Sequence, residues 1–523
     1  MKAFTEPLLS LAGFEEMTKT AEKSSGLISV TGCIDAQKSQ MIYAFGGHRK
    51  NKLIVTFGEQ KAKELYDEYS FFDKEVVYYP SKDVLFYQSD IRGNLLTAER
   101  IRALKAIREQ GRVTLVTTFD ALMNTMAPIE KMWENVLTLE QGQLLDLKEI
   151  QAALIRMGYE KEYQVQTMGQ FSVRGGILDV FPLTEENPIR IELWGDEIDT
   201  IRYFDCESQK SIENIDRVSI YPAAELVLSD EEKAGGIDKL KAEAKRVSDK
   251  LRKQMKTEEA HRVTVMADEL TEEWGELSMY AGMDAFLSYF FDERVGILDY
   301  FNPSDSLIFF DELTRCTEQG KLTETEFSES MKQRLAMGYI LPGQMNGLFT
   351  EKEIVAKLEK YSCIALGALD NKANGLHQLG SYGIHCQSVS PYNNSFELLI
   401  KDLKRYKKNG YRVILLSGSR TRAKRLSEDI TDQGITCFYT ENYDHELFEG
   451  QIMVCYGKVR RGFEYPILKF AVITESDIFG AQQKKKKRHR TYEGEKIQSF
   501  TDLSVGDYVV HENHGLGIYR GIE

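Results

Sequence analysis

The sequence predicts a multidomain α/β protein, on three observations. Short β-branched runs alternate with helical stretches over the first 125 residues, which is typical of a parallel sheet covered by helices. A β-rich stretch of about 90 residues then interrupts the alternation. A second α/β pattern follows at 386–478. With 523 residues, 42% of them apolar, the chain can build several cores of about 100–200 residues each.

The first domain is expected at 1–127. β-branched runs predict its strands, at 27–31, 53–57, 76–79 and 113–118. Apolar residues at helical spacing predict its longer helices, at 61–70 and 97–109. The strand pattern returns at 306–310, so this domain is expected to resume after an insertion, with a second part at 223–385.

The insertion is expected at 128–222. Its runs are short and β-rich, with turn residues between them, and helical periodicity is weak, so we predict a mostly antiparallel module. Just after it, 231–260 is highly charged, and we interpret this stretch as a solvated helix on the domain surface.

A small α/β domain is expected at 386–478. Its pattern predicts a helix at 395–409, a strand at 413–416 and a helix at 420–431. Beyond it, 479–502 is interpreted as a basic linker, because six of the seven residues from Lys484 to Arg490 are Lys or Arg. A new β module begins at 503, and about 20 residues cannot complete one. We therefore expect the chain to be the front part of a longer protein.

Composition excludes several classes of protein. The net charge of −14 argues against coating nucleic acid by bulk electrostatics, so any DNA contact must come from a local basic patch or from a part outside this chain. Seven cysteines without a C-x-x-C pair argue against a zinc or redox centre and fit a reducing cytosol. No apolar run approaches the roughly 20 residues of a membrane span, and the start is not a secretory signal. We expect a cytoplasmic protein with no membrane contact.

The strongest local motif is G-C-I-D-A-Q-K-S, from Gly32 to Ser39. A phosphate-binding loop reads G-x-x-x-x-G-K-[ST] between a strand and a helix, and here a helix is expected at 39–45. Gly32, Lys38 and Ser39 fit, but Gln37 occupies the second glycine position. A side chain there disfavours the close backbone approach to phosphate. We interpret the loop as degenerate and expect no ATP hydrolysis at it.

Asp311 and Glu312 follow the buried run L-I-F-F, in the position of the strand-end acids that hold Mg²⁺ in phosphate-loop enzymes. Acids after strands are common, so a structural or exposed role is the favoured interpretation. We find no nucleophile–base constellation, and His511 and His514 lack partners at ligand spacing. The sequence therefore predicts no catalytic residue and no metal ligand.

A polar side chain pattern marks the inserted module. Arg190, Glu192 and Trp194 alternate along one strand and so share one side of it, and Arg174 stands just before the turn residues Gly175-Gly176. Arg and Trp together on a sheet face are typical anchors of a protein interface. An internal Arg–Glu pair beside a half-exposed aromatic side chain explains the same pattern, and the pattern does not choose between the two.

Two long motifs resemble a known family. F-S-V-R-G-G-I-L-D-V-F-P, with F-D-C-E-S-Q-K-S-I-E after it, is similar to a signature shared by the repair protein UvrB and the bacterial transcription-repair coupling factor (Mfd). The coupling factor is favoured because UvrB keeps an intact phosphate loop. V-G-D-Y-V-V-H-E-N-H-G-L-G-I-Y-R-G also resembles the start of that factor's polymerase-binding, Tudor-like β module. The resemblance spans essentially the whole chain.

The resemblance implies a split, RecA-like domain of the UvrB type around an insertion, a small α/β domain, and the start of a module at 503–523 that binds the RNA polymerase β subunit. It implies recognition of polymerase stalled at DNA lesions, its ATP-dependent release, and recruitment of UvrA through Arg174, Arg190 and the aromatic position Trp194. Double-stranded DNA, ATP and Mg²⁺ would be bound mainly by a helicase-type motor beyond Glu523, with no cofactor in this chain. The enzymatic alternative is a UvrB-type, ATP-dependent damage-loading protein.

Overall fold

The computed structural model describes residues 1–46, 49–82, 94–276, 283–370, 375–480, 508–511 and 515–518. The predicted basic run at 484–490, His514 and most of the predicted module at 503–523 lie outside these residues. Within the described part, no helix is both long enough and apolar enough to cross a membrane.

The first segment alternates strands and helices, as the sequence predicts. Its strands are β1 (Gly26–Thr31), β2 (Asn51–Thr56), β3 (Val76–Tyr79) and β4 (Val113–Thr118). Its helices are α1 (Lys2–Thr5), α2 (Phe14–Lys23), α3 (Asp35–Phe45), α4 (Glu59–Tyr69), α5 (Asn94–Glu109), α6 (Phe119–Met123) and α7 (Ile129–Glu134).

The inserted unit is β-rich and contains one described helix, α8 (Leu147–Arg156). Its strands are β5 (Leu137–Glu140), β6 (Glu160–Lys161), β7 (Gln170–Arg174), β8 (Ile177–Val180), β9 (Ile189–Trp194), β10 (Glu197–Phe204), β11 (Ser211–Ile215) and β12 (Arg217–Ile220). Six of them form a sheet in the order β11-β10-β9-β8-β7-β6, antiparallel except at β6–β7, while β12 pairs with β5. One face of the sheet buries Phe171, Leu178 and Ile191 against α8, whose Leu154 is buried with them.

The chain then returns to the first domain. The returning helices are α9 (Asp230–Lys253), α10 (Thr257–Glu276), α11 (Leu287–Phe290), α12 (Leu313–Ala336) and α13 (Glu351–Leu358). The returning strands are β13 (Ser306–Asp311), β14 (Ser362–Leu366) and β15 (Gln378–Gly383).

Strands from before and after the insertion interleave in one parallel sheet of seven strands. The order is β15-β1-β14-β13-β2-β4-β3, so β1 lies between two returning strands and β13 pairs with β2. The buried patterns of β4 and β13 are continuous rather than alternating, as expected for a sheet covered on both faces. The α/β domain is therefore one sheet built from two separate chain segments.

A buried ion pair also joins these two segments. The fully buried Arg100 of α5 donates from Nε to Oε1 of Glu225 at 2.7 Å, and its guanidinium stacks 4.0 Å from the ring centre of Tyr79. Burial would raise the pKa of Glu225, but attraction to Arg100 and Lys82 outweighs it and lowers that pKa to about 2. Glu225 follows the insertion directly, so this pair fixes the point where the chain re-enters the domain.

A second, smaller α/β unit follows. Its helices are α14 (Phe396–Lys408), α15 (Arg420–Asp432) and α16 (Glu475–Phe479), and its strands are β16 (Gln387–Ser388), β17 (Arg412–Ser417), β18 (Phe438–Tyr439), β19 (Ile452–Tyr456), β20 (Phe463–Tyr465) and β21 (Phe470–Thr474). The sheet order is β16-β20-β21-β17-β19-β18, parallel around β17 and antiparallel at the β20 edge. Beyond it, β22 (Tyr508–His511) and β23 (Gly515–Ile518) form an antiparallel pair.

The two α/β units share a core. Phe4 of α1 packs edge-on against Phe71, and the Ala3 amide donates to the Tyr443 carbonyl of the second unit at 3.0 Å. On α4, Glu64 pairs with Arg460 of the second unit at 2.6 Å. Glu68, one turn further along α4, is buried in the same contact and accepts weakly from the Arg460 amide at 3.5 Å. Burial raises the pKa of Glu68 to about 7.

Two sequence-based expectations need correction. The helix after the phosphate loop begins at Asp35 rather than at 39, because Ile34 is already extended and Asp35 favours a first helical turn. The charged stretch at 231–260 is not one solvated helix: α9 ends at Lys253, and α10 begins at Thr257. Small and apolar residues on one side of α9, such as Leu240, Ala244 and Ser248, are buried, because α10 folds back along them.

Candidate functional site

The predicted phosphate loop closes on the chain's own backbone. Gly32 has a φ of +75°, and a Cβ there would lie 2.1 Å from the Ile384 carbonyl oxygen, so only glycine fits. The Gly32 amide donates to the Ala368 carbonyl at 3.2 Å, and the Cys33 amide donates to the Gly367 carbonyl at 3.0 Å. Two backbone donors at the start of the loop are thus used within the protein.

Lys38 is buried and surrounded by carboxylates. Its side chain is 1% exposed, and its Nζ lies 2.5 Å from Asp311, 3.1 Å from Glu312 and 3.1 Å from Asp35. Burial would lower the pKa of Lys38, but attraction to Asp311 and the other two carboxylates outweighs it and raises that pKa above its usual value. Lys61 also reaches Asp35, at 3.0 Å, so three carboxylates face two ammonium groups. The cluster is therefore negative by one charge, which opposes a triphosphate.

The predicted strand-end acids belong to the same cluster. Asp311 is the last residue of β13, is 1% exposed, and accepts from the Thr56 hydroxyl at 3.3 Å. Glu312 takes the left-handed conformation, with a φ of +60°, and accepts from the Ala368 amide at 3.2 Å. The fold therefore brings both acids into ion pairs with Lys38.

The two remaining loop positions are buried and unpaired. Gln37 is fully buried, and neither its side-chain oxygen nor its nitrogen has a hydrogen-bond partner among the described residues. The Ser39 hydroxyl, which would meet Mg²⁺ in a working loop, is buried and also has no partner within the described part of the chain. In that part, no group of three or more His, Cys, Asp or Glu is placed to hold a metal ion.

The predicted arginines meet on the polar face of the inserted sheet, around Asp179. This carboxylate is 1% exposed and accepts from Nε and Nη2 of Arg190 at 2.7 and 2.9 Å. Arg174 also donates to it at 2.8 Å. Arg190 further donates to Gln209 at 2.8 Å and stacks 4.3 Å from the ring centre of Phe204. The pKa of Arg190 is raised, chiefly by its hydrogen bond to Asp179.

The internal partner of Arg190 is therefore Asp179 and not Glu192. Glu192 instead accepts from Arg202 and, at 3.2 Å, from the Thr200 hydroxyl. The sequence carried a signal for this: the Gly175-Gly176 turn folds β8 back on β7, and register then sets Asp179 opposite Arg190 on β9. Asp179 was missed because the flanking apolar residues predict only a buried strand.

The three predicted surface residues differ in exposure. The Arg190 side chain is 12% exposed, that of Arg174 is 37% exposed, and Trp194 at the end of β9 is 85% exposed. Trp194 borders a cavity of about 730 Å³ with acidic walls, among them Glu140, Glu197, Asp199 and Asp216. Trp194 is thus the most accessible of the three, and Arg190 is largely committed to holding the sheet face together.

Two families match parts of the chain. Residues 137–226 match the UvrB interaction domain, and residues 503–523 match the CarD-like/TRCF RID domain. The first match covers the inserted sheet, including Arg174, Arg190 and Trp194. Fold and site thus define a protein with a split, UvrB-like α/β domain that carries an interaction module.

Curated relatives extend the similarity over nearly the whole chain. The transcription-repair-coupling factor of Bacillus subtilis is 29% identical over 473 residues, which are 90% of this chain and 40% of that protein. Those of Staphylococcus haemolyticus and Staphylococcus aureus MRSA252 are each 28% identical, over 95% and 98% of this chain. The chain is thus similar to transcription-repair-coupling factors over nearly its whole length, as its motifs predict. It spans about two fifths of the length of these relatives.

Proposed function

We propose that this chain is the adaptor part of a cytoplasmic transcription-repair coupling factor and recruits UvrA through the polar face of its inserted sheet. The observation that carries the proposal is the cluster of Arg174, Asp179 and Arg190, with Trp194 beside it, inside the region that matches the UvrB interaction domain. A rigid sheet holds these side chains before any partner arrives, which lowers the entropic cost of binding.

The geometry suggests how a partner is held. Arg174 donates from a single nitrogen to Asp179 and is more exposed than Arg190, so most of its five N–H groups can meet an acidic partner. Trp194 offers a large aromatic surface, the kind of side chain that dominates interface energetics. Arg190 positions Asp179, and Asp179 in turn orients Arg174.

The test is UvrA binding by the whole chain and by matched variants. Trp194→Ala and Arg174→Ala should each weaken UvrA binding by about 10- to 30-fold or more, the loss typical of an interface anchor. Phe448→Ala removes an exposed aromatic side chain from the second α/β unit and serves as the control. Wild-type affinity in both variants of the inserted unit would contradict the assigned surface.

Arg190→Glu is a poor test of the surface by itself. It would place a new carboxylate against the buried Asp179, so we expect it to damage the inserted sheet as well as the surface. Its UvrA binding is informative only beside a thermal unfolding measurement. An Arg190→Glu protein that keeps its melting temperature would show that the Asp179 contact matters less than its geometry indicates.

The remaining activities are proposed from the family. The module at 503–523 would bind the RNA polymerase β subunit, and a motor outside this chain would bind ATP, Mg²⁺ and double-stranded DNA and release the stalled polymerase. The UvrB-type alternative requires ATP turnover at Lys38. An ATPase signal from the purified chain that disappears in Lys38→Met would favour that alternative, and we expect none, because Lys38 is already neutralised by carboxylates.

A further inference from the structure

The hairpin of α9 and α10 carries a strongly basic end on an acidic protein. Six of the twelve residues from 245 to 256 are Lys or Arg and one is an acid, while the whole chain has a net charge of −14. All six are exposed: Lys245, Arg246, Lys250, Arg252, Lys253 and Lys256. We call these six side chains the hairpin tip.

Charges at the tip lack the partners that charges at the base of the hairpin have. Near the base, Lys131 pairs with Glu232 at 2.8 Å, and Lys239 pairs with Asp292 at 2.9 Å. At the tip, Arg246 lies 3.5 Å from Glu243, and the other five form no ion pair with any described residue. The positive charge of the tip is therefore largely uncompensated within the described structure.

Contacts along both helices of the hairpin hold the tip in place. Glu243 of α9 is fixed to the domain, accepting from the Tyr289 hydroxyl at 2.5 Å and from the Gly343 amide at 3.1 Å. Beyond that point Ser248 bonds only to α10, at the Ala260 carbonyl and the Thr264 hydroxyl.

Close to the tip, α10 packs against the chain just after α12. A Cβ at Gly338 would lie 2.6 Å from the Glu259 carbonyl oxygen, and the Arg262 guanidinium stacks 5.0 Å from the ring centre of Tyr339. The backbone that carries the tip is therefore held in place on both helices.

Helix stability explains only part of this charge. Lys250, Arg252 and Lys253 lie in the last turn of α9, where positive charge is favoured by the helix dipole. Lys245, Arg246 and Lys256 lie outside that turn and gain little from it. A protein-binding tip would also need apolar anchors, and among the described residues 245–256 the one exposed large apolar side chain is Met255, 87% exposed. The tip is suited to a polyanion.

We propose that the hairpin tip binds the phosphate backbone of duplex DNA. The choice of DNA among polyanions rests on the proposed function, since a coupling factor acts on a transcribed template. The tip shares no residue with the proposed UvrA surface, so each can be tested without the other. Lysine and arginine that neutralise phosphates release bound cations, so affinity falls with salt by about 0.9 logarithmic units per phosphate contacted. The salt slope therefore measures how many phosphate contacts the tip makes.

The experiment compares two sets of four lysines changed to glutamine. The tip variant is Lys245→Gln, Lys250→Gln, Lys253→Gln and Lys256→Gln. The control, with the same change in net charge on exposed helix positions, is Lys401→Gln, Lys404→Gln, Lys407→Gln and Lys408→Gln. Both are made in the full chain with the six Lys and Arg of 484–490 also changed to glutamine, so that this run does not hide the effect.

Binding of a labelled duplex oligonucleotide is measured by fluorescence anisotropy at several KCl concentrations. We expect the tip variant to bind at least 10-fold more weakly than its background near 50 mM salt, with a salt slope shallower by about 2 or more, and the control to match its background. Equal losses in both variants would show bulk electrostatics and overturn the proposal. So would unchanged DNA binding, or a loss confined to RNA or to an acidic protein. UvrA binding, measured on the same samples, reports separately on the inserted sheet.

Discussion

Lys38 offers the sharpest test of what the predicted phosphate loop does in this protein. In Lys38→Met the buried Asp311 loses the cation that lies 2.5 Å from it, while Thr56 remains its hydrogen-bond donor. Leaving one charge of a buried pair uncompensated typically costs about 3–5 kcal/mol. In Asp311→Asn the outcome differs, because Lys38 keeps Glu312 and Asp35 as partners. That change should cost about 1.5–3 kcal/mol, the loss of a hydrogen bond to a charged group.

The double variant Lys38→Met with Asp311→Asn removes both buried charges. It should be more stable than Lys38→Met alone, since no uncompensated carboxylate remains at the end of β13. The assay is hydrogen exchange of the β13 amides, because a chain with several units need not unfold in one step. The expected loss in Lys38→Met corresponds to exchange roughly 100- to 5,000-fold faster.

Two results would refute this reasoning. In one, Lys38→Met leaves β13 exchange unchanged, and the ion pair is then not structural. In the other, Mg-ATP slows exchange in the wild-type chain but not in Lys38→Met, as expected when a ligand binds and stabilises the folded state through that lysine. Asp120→Asn is a suitable control, because Asp120 is a carboxylate of the same domain whose hydrogen-bond donors among the described residues are the neutral side chains of Gln319 and Thr323.

Two further predictions concern pH. The pKa of Glu225 is about 2 in the folded protein, and its ordinary value is 4.5. The stability that this carboxylate contributes is therefore present above pH 4.5 and is lost as pH falls toward about 2. Acid titration followed by circular dichroism should show a smaller loss in that window for Glu225→Gln, and an identical profile would contradict the Arg100 pairing. The pKa of Glu68 is shifted in the opposite direction, from 4.5 to about 7. The stability that Glu68 contributes is therefore present below pH 4.5 and is lost as pH rises through about 7. Glu68→Gln should therefore raise the melting temperature at about pH 8 more than at about pH 4.

Several strands of the seven-stranded sheet were predictable from residue type. The runs that became β3 and β4 match the predicted 76–79 and 113–118, since both are rich in the β-branched and aromatic residues that favour strands. The break between α9 and α10 was not predictable. Met255 turns the chain with a φ of +63°, a conformation that methionine does not signal, and the pairing of two charged helices depends on small residues such as Ala244.

The sequence indicated which residues to consider at the candidate sites, but it did not indicate which of them contact each other. Lys38 and Asp311 stand 273 positions apart, and their contact follows only from the parallel order that sets β13 near β1. For Arg190 the sequence left an interface role and an internal Arg–Glu pair equally open. The structure pairs Arg190 internally, but with Asp179 in place of Glu192, and the interface role stays a prediction. Arg190 is internally paired, whereas Trp194 is exposed. Burial depends on the neighbouring strands of the sheet, so the alternation along one strand could not show that Arg190 is paired and Trp194 is exposed.

Two of the buried ion pairs in the α/β domain have a common topological role. Lys38 precedes the insertion and Asp311 follows it; Arg100 precedes it and Glu225 follows it. Each pair therefore ties the two chain segments between which the inserted sheet is held. A domain that had to open for nucleotide would separate Lys38 from Asp311 and loosen this connection. Keeping the loop occupied by carboxylates instead leaves the segments fixed, and the inserted sheet with Arg174 and Trp194 is then carried on a rigid base.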